Sequence, residues 1–343
     1  MEQLLTSKKL IAKVALALAV LAAVVFVCSR IGTEDVSLKA VLAGPGTQAA
    51  PNPDYEIFIR IRLPRIILAG LVGAALACAG VVFQVLLRNP LADPYILGIS
   101  SGAGLGAIIA VISGFNWTLW GRSPIAVFAF GGALGTVWLV WFIGRLTGKF
   151  HVTGLLLAGV VVNAFFSALM MFLTSIAKSD QVYSTIFWLM GNMKEGDFLV
   201  LWIAAGCIIG GIVALFYIGP QLNALSFGAD DAGSMGVDVV RTRTIAFGIA
   251  AGITAVAVSL SGLIGFVGLV VPHGVRLVFG PDHRQLLPLS GITGAIFLVI
   301  ADTLARIVVA PAQLPVGVVT AIVGGPFFLI LLVKYSRKVS WLK

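Results

Sequence analysis

The sequence predicts an all-α, polytopic integral membrane protein with about ten transmembrane helices. Three observations carry that expectation. Of 343 residues, 59% are hydrophobic and 11% charged, with a mean hydropathy of +1.06. A soluble domain carries about twice that charge fraction. Apolar runs long enough to cross a bilayer recur along the whole chain. Forty glycines sit in this apolar context, which suits close helix–helix contacts better than flexible loops.

The runs can be taken in order. Leu10–Cys28 follows Lys8 and Lys9 and resembles a signal peptide, but Val25-Phe26-Val27 is too bulky for a cleavage site, so a retained span is expected. Pro64–Leu87 is the most informative. Pro64 suits a first helical turn, because the amide it lacks would be unpaired there. Asn89-Pro90 stops the helix, since proline disfavours helical geometry in the residue before it. Gly70, Gly73, Ala74, Ala77 and Gly80 let neighbouring backbones approach. Eight further runs follow: Ile96–Ile112, Pro124–Ile143, Val152–Ile176, Phe198–Ile218, Thr244–Leu260, Leu263–Phe279, Leu286–Ile307 and Val316–Val333. Only Ser261-Gly262 separates the seventh span from the eighth.

Three segments lie between spans. Ile31–Ile59, with Glu34, Asp35, Asp54 and Glu56, reads as a surface loop. Ala177–Asp197 contains YSTIFWLMGNM (183–193), which suits a short interfacial helix. Gly219–Asp238 is polar, with Asp230 and Asp231 ahead of Ala232, and suits one or two short helices capped by carboxylates.

Ten spans place both termini on one side. With that side cytoplasmic, the inner segments and span ends hold 14 of the 23 basic residues, which agrees with the positive-inside rule. The net charge of +9 therefore needs no nucleic acid to explain it. Cys28, Cys78 and Cys207 are isolated in apolar runs, without disulfide or metal spacing. GRLTGKF (144–150) has the wrong spacing for a phosphate-binding loop, so no nucleotide hydrolysis by this chain is expected, and no hydrolase or redox constellation is present.

The remaining chemistry lies in polar residues near span ends or at membrane depth. Arg62 and Arg65 share a face at a helix N-terminus, where the dipole disfavours cations. They are either snorkelling anchors or a patch awaiting carboxylates. Asp302 and Arg306 form a self-neutralising i, i+4 pair, or Arg306 joins Arg62 and Arg65 in the same patch. His273, beside Pro272, suits a packed histidine at a kink better than a haem ligand. Asn163 and Ser167 line a pathway or bond a neighbouring helix, and Met170-Met171 reads as packing.

IRLPR (61–65), RNPLADP (88–94), LGISSGAGLGA (97–107), LLLAGVVVNAFFSALM (155–170), FWLMGN (187–192), GLIGFVGLVVPHGVRL (262–277), GPDHRQLLP (280–288), ADTLAR (301–306) and LPVGVVTAIVGGPFFLILL (314–332) resemble the FecCD-type permeases nearly end to end. These are the membrane subunits of type II ABC importers for iron-siderophores, haem and cobalamin. The resemblance implies one transmembrane permease domain over residues 1–343 and a homodimer in the inner membrane. It also implies two cytoplasmic ATP-binding cassette subunits that hold ATP and Mg²⁺, and a periplasmic or lipoprotein substrate-binding protein. No cofactor or metal is expected on this chain, and no partner beyond these and membrane lipid.

By motif position, Arg62, Arg65 and Arg306 match residues that dock the binding protein. Asn89 and Leu91, with Val152 and Thr153, match a cytoplasmic gate, although Val152 replaces a small hydroxyl residue common there. Leu225, Phe227, Gly228, Asp230, Asp231 and Gly236 match the coupling segment that meets the ATPase, with Gly233 departing from a commonly basic or polar position. Iron-siderophore is the expected cargo, with cobalamin or haem as alternatives. A secondary transporter is the different-class reading, but it would usually carry acidic residues or histidines near midplane.

Overall fold

The computed structural model describes residues 6–47, 50–114, 124–146, 152–193 and 198–340, with no side-chain description for 47, 50–51, 146, 152–153 and 331–340. All ten expected spans are helices: α1 (Ser7–Arg30), α4 (Leu63–Leu86), α5 (Ile99–Ser113), α6 (Pro124–Leu146), α7 (Val152–Ile176), α9 (Phe198–Tyr217), α12 (Val239–Ser261), α13 (Val267–Phe279), α14 (His283–Ile307) and α15 (Val316–Ser340). Seven helices among the described residues are long and apolar enough to cross a membrane, and three shorter apolar helices complete the set.

α4 is the axis of the bundle, buried along most of its length. It packs antiparallel against α14 in a register marked by Arg65 beside Asp302, Gly73 beside Gly294 and Cys78 beside Leu287. On another side, Gly80 meets Gly268 of α13 so closely that a Cβ at Gly80 would overlap the Gly268 carbonyl. Phe83 meets Phe247 of α12 edge-on, with ring centroids 5.9 Å apart. α1 packs on α14, and Lys13 donates to Gln285 Oε1 at 2.8 Å.

The segments between spans depart from the sequence expectation in three places. Ile31–Ile59 is not one surface loop. It holds α2 (Leu38–Leu42), a two-strand ladder (β1 Gly46–Thr47, β2 Ala50–Pro51) and α3 (Pro53–Tyr55), and its last residues belong to a wider π-turn, Glu56–Arg62, continuous with α4. Asn52 caps α3 and ties back to the Ala40 and Gly44 carbonyls, which gives the segment its own frame. The break between the seventh and eighth spans covers Gly262–Phe266 and not a single dipeptide. Gly262 (φ +68°) ends α12, Phe266 (φ +69°) starts α13, and Ile264 N–H donates to Tyr95 Oη at 2.9 Å. Helix α13 spans 13 residues, about 20 Å at 1.5 Å per residue, less than a bilayer core. Irregular backbone beside it is tolerable because protein, not lipid, surrounds it.

In Gly219–Asp238 two short helices form, α10 (Gly219–Phe227) and α11 (Ala229–Ser234). The carboxylates do not cap them by side-chain hydrogen bonds: Asp230 and Asp231 sit in the first turn of α11. The capping carboxylate is Asp238, which accepts from Arg241 N at the start of α12. Ala177–Asp197 supplies α8 (Ser179–Leu189), which starts four residues before the expected stretch 183–193 and ends four residues short of it, with Gly191 (φ +77°) just beyond its C-cap Met190.

Candidate functional site

Three regions hold the residues matched to docking, gate and coupling, while Asn163 and Ser167 lie on α7 and His273 on α13. The first lies at the bundle end that the charge bias assigns to the outside. Arg62, Arg65 and Arg306 are only 4%, 4% and 6% exposed, so they are neither snorkelling anchors nor free forks. Arg65 Nε donates to both oxygens of Asp302, at 2.9 and 3.2 Å, and its Nη1 donates to Gln313 Oε1 at 2.8 Å. Arg306 Nε stands 3.2 Å from Asp302 Oδ2, within ion-pair range but poorly directed for a hydrogen bond, while its Nη2 donates to Thr303 Oγ1.

Asp302, 1% exposed, thus neutralises its own helix partner and clasps α4 as well. Arg62 takes a different route. It donates to the backbone carbonyls of Ser29, Arg30 and Glu34, with Gly32 packed against its guanidinium. Glu34, Asp35 and Asp54 lie near enough to act on it electrostatically, and Arg62 and Arg65 act likewise on Arg306. The structure therefore sets Arg65 and Arg306 on one buried carboxylate and Arg62 close by on backbone carbonyls, with Glu34, Asp35 and Asp54 answering its charge.

The second region follows α4 at the opposite end. Asn89 and Leu91 lie in a loop held by its own hydrogen bonds: Leu91 N–H donates to Asn89 Oδ1 and Tyr95 N–H to Asp93 Oδ1, each at 2.9 Å. Both are turns in which a short side chain mimics the backbone. Val152 and Thr153 open α7, and their side chains lie outside the described residues. Desolvation pushes the Asp93 carboxyl up to about 6, partly offset by the Tyr95 amide. The folded chain then holds the proton more tightly than the unfolded chain. This contribution to stability is complete below about pH 4 and lost as pH rises through about 6. Asp93→Asn should flatten that part of the stability–pH curve and raise the neutral-pH melting point. Because Asp93 is only partly buried, the gain should be roughly 1 kcal/mol at most. Thermal melts of wild type and variant at pH 4.5 and 7.5 would check it, and parallel shifts at both would contradict it.

The third region is the pair α10 and α11. Gly228 (φ +141°) forms their elbow and Gly236 (φ +82°) the exit, both conformations that L side chains rarely adopt. Leu225 is buried and anchors α10, whereas Phe227 and Met235 are 65% and 62% exposed and Asp230 and Asp231 are exposed. Asn223 of α10 reaches the start of α14. It donates to Asp282 Oδ1 at 2.8 Å, and its Oδ1 accepts from His283 N at 2.8 Å. Burial would raise Asp282, but hydrogen bonds from Arg284 and Asn223 outweigh it and hold the carboxyl at about 2. Sequence reasoning did not find this tie, or the Arg65–Gln313 and Tyr95–Ile264 bonds. Each joins positions far apart in the chain, with no short-range spacing to betray it.

The fold and these polar clusters define a polytopic membrane permease, with its inner and outer ends bridged by the α4–α14 pair. The chain belongs to the FecCD transport family, whose family model matches residues 16–334. It is 42% identical over 296 residues to the cobalamin import system permease protein BtuC of Halobacterium salinarum, covering 86% of this chain and 78% of that one. It is 40% identical over 287 residues to the hemin transport system permease protein HmuU of Yersinia pestis, covering 83% and 86%. A solved structure described as an inward-facing conformation of a putative metal-chelate type ABC transporter superposes with a TM-score of 0.82 at 30% identity, covering 96% of this chain and all of that one. The protein is thus an ABC importer permease, a membrane-spanning transport subunit of a family that works with ATPase and substrate-binding partners.

Proposed function

We propose that two copies of this chain form the membrane pathway of an importer for a metal chelate, with separate ATPase subunits on the cytoplasmic side and a binding protein outside. The observation that carries this reading is the face of α7. Asn163 is exposed and Ser167 half-buried among the exposed Leu157, Val160, Val161 and Phe165. An amide left in lipid without partners is costly. A second copy facing α7 would enclose it in a pathway of weak, mainly apolar contacts, which suits release of a large chelate. The exposed Phe227 and Met235 beside Asp230 and Asp231 suit a protein surface below, and Asn89 and Leu91 stand at the inner mouth.

A test uses the reconstituted complex with Cys207→Ser to remove the exposed thiol. Asn163→Cys should react with a water-soluble maleimide at a rate that changes with nucleotide. No reaction in any nucleotide state would place this face in lipid and sink the pathway.

An iron-siderophore is the first cargo to test, with cobalamin and haem alongside it. Proteoliposomes loaded with ATP and given the cognate binding protein would read the three uptakes in parallel. For docking, Arg62, Arg65 and Arg306 at the outer end would meet acidic residues of a binding protein, and such pairs raise the association rate more than the affinity. Binding should then slow with salt. Charge reversal at Arg65 is a poor probe, because it would set a second carboxylate against the buried Asp302.

A further inference from the structure

Arg88, the residue after the C-cap of α4, has φ +48° and shares the left-handed region with only one other non-glycine among the described residues, Phe266. Its amide donates to Val85 O at 3.1 Å and that of Asn89 donates to Gln84 O at 3.0 Å. This is the helix-closing pattern whose left-handed position is usually glycine. A side chain there costs on the order of 1 kcal/mol, so the arginine is held in place against a backbone preference.

Its guanidinium lies over the elbow between α10 and α11. A Cβ on Gly228 would stand 3.7 Å from Arg88 Nη2, 4.0 Å from Nη1 and 3.5 Å from Asp231 Oδ2. Arg88 and Asp231 are both exposed, and among the described residues neither forms an ion pair. Arg243 of α12 sets a like charge close to Arg88. The arrangement brings a cation and an anion to the two sides of one glycine without joining them.

We propose that Arg88 is a positioning residue for transport: it closes an ion pair with Asp231 in one state of the cycle and releases it in another. A shift of the α10–α11 elbow is thereby passed to Asn89–Pro94, which begins at the next residue. The inference rests on the reading of Gly219–Asp238 as the ATPase-facing segment. Exposed ion pairs contribute about 0–1 kcal/mol, weak enough to make and break within a cycle.

The test uses the full complex in proteoliposomes and reads substrate moved per ATP hydrolysed. Arg88→Glu and Asp231→Arg should each lower that ratio about fivefold, equivalent to about 1 kcal/mol. The double variant should recover at least half of the loss. Arg88→Gly suits the left-handed backbone better, so it should leave the chain at least as stable while still losing coupling, the reverse of a merely structural role. Gly228→Val serves as a reference that breaks the elbow itself. If that variant stays fully coupled, the ATPase-facing reading fails and not this inference alone. If Gly228→Val uncouples while Arg88→Glu does not, or the double variant is no better than the worse single one, Arg88 has no such role. Should the reversed variants fail to assemble, Arg88→Cys with Asp231→Cys in a Cys207→Ser background reads the same contact. Disulfide yield should differ between ATP-bound and nucleotide-free complexes, and equal yields, or none, would overturn the proposal.

Discussion

Asp302→Asn is expected to destabilise the chain by about 3–5 kcal/mol, because it leaves Arg65 and Arg306 buried without their counter-charge. Asparagine still accepts one hydrogen bond but carries no charge. The loss should appear as a large drop in the unfolding midpoint in detergent, and as poor recovery of the complex with its ATPase. A triple replacement, Arg65→Met with Asp302→Leu and Arg306→Met, should cost less than the single change, since no charge is then left buried. An Asp302→Asn protein that melts with the wild type would show that the clasp contributes nothing to the fold.

Gly80→Val should be comparably damaging for a different reason. A Cβ at Gly80 would overlap the carbonyl oxygen of Gly268, which is backbone and has no rotamer with which to yield. α4 and α13 would have to separate, breaking the seam that also carries Gln84 and Arg276, whose Nη2 donates to Gln84 Oε1 at 3.1 Å. Overpacking of this kind costs about 1–3 kcal/mol, and more where backbone meets backbone. Gly252→Ala on α12, where no atom lies within 4 Å of the added methyl, should leave the melting point unchanged or raise it. Equal melting points for Gly80→Val and wild type would mean that the α4–α13 contact is looser than the structure shows.

Much of the fold was legible because hydropathy measures what the bilayer demands. Val152–Ile176 was read with the bounds the helix has, and Phe198 and Val316 were placed as helix starts. Boundaries slipped where local signals compete. Gly262 marked a break, but only the left-handed Phe266 and the bond from Ile264 to Tyr95 extend it to five residues. The candidate site residues were singled out by motif, and the structure then sorts them by contact. Arg62, Arg65 and Arg306 were read as one patch and lie near one another in the fold, yet Asp302 was weighed only against its own i, i+4 neighbour. Its stronger clasp is with Arg65, on another helix.

The sequence by itself determined the membrane class, the ten helical segments, the family and the positions of the polar clusters, because length, apolar content, proline stops and long motifs are properties of contiguous residues. Only the tertiary structure decided which of those polar residues are spent within the chain. Arg62 on three carbonyls, Arg65 on Asp302 and Gln313, and Asn223 on Asp282 and His283 are each satisfied by residues brought near through helix packing. A buried charge must find a partner, but chain spacing does not say on which helix that partner stands.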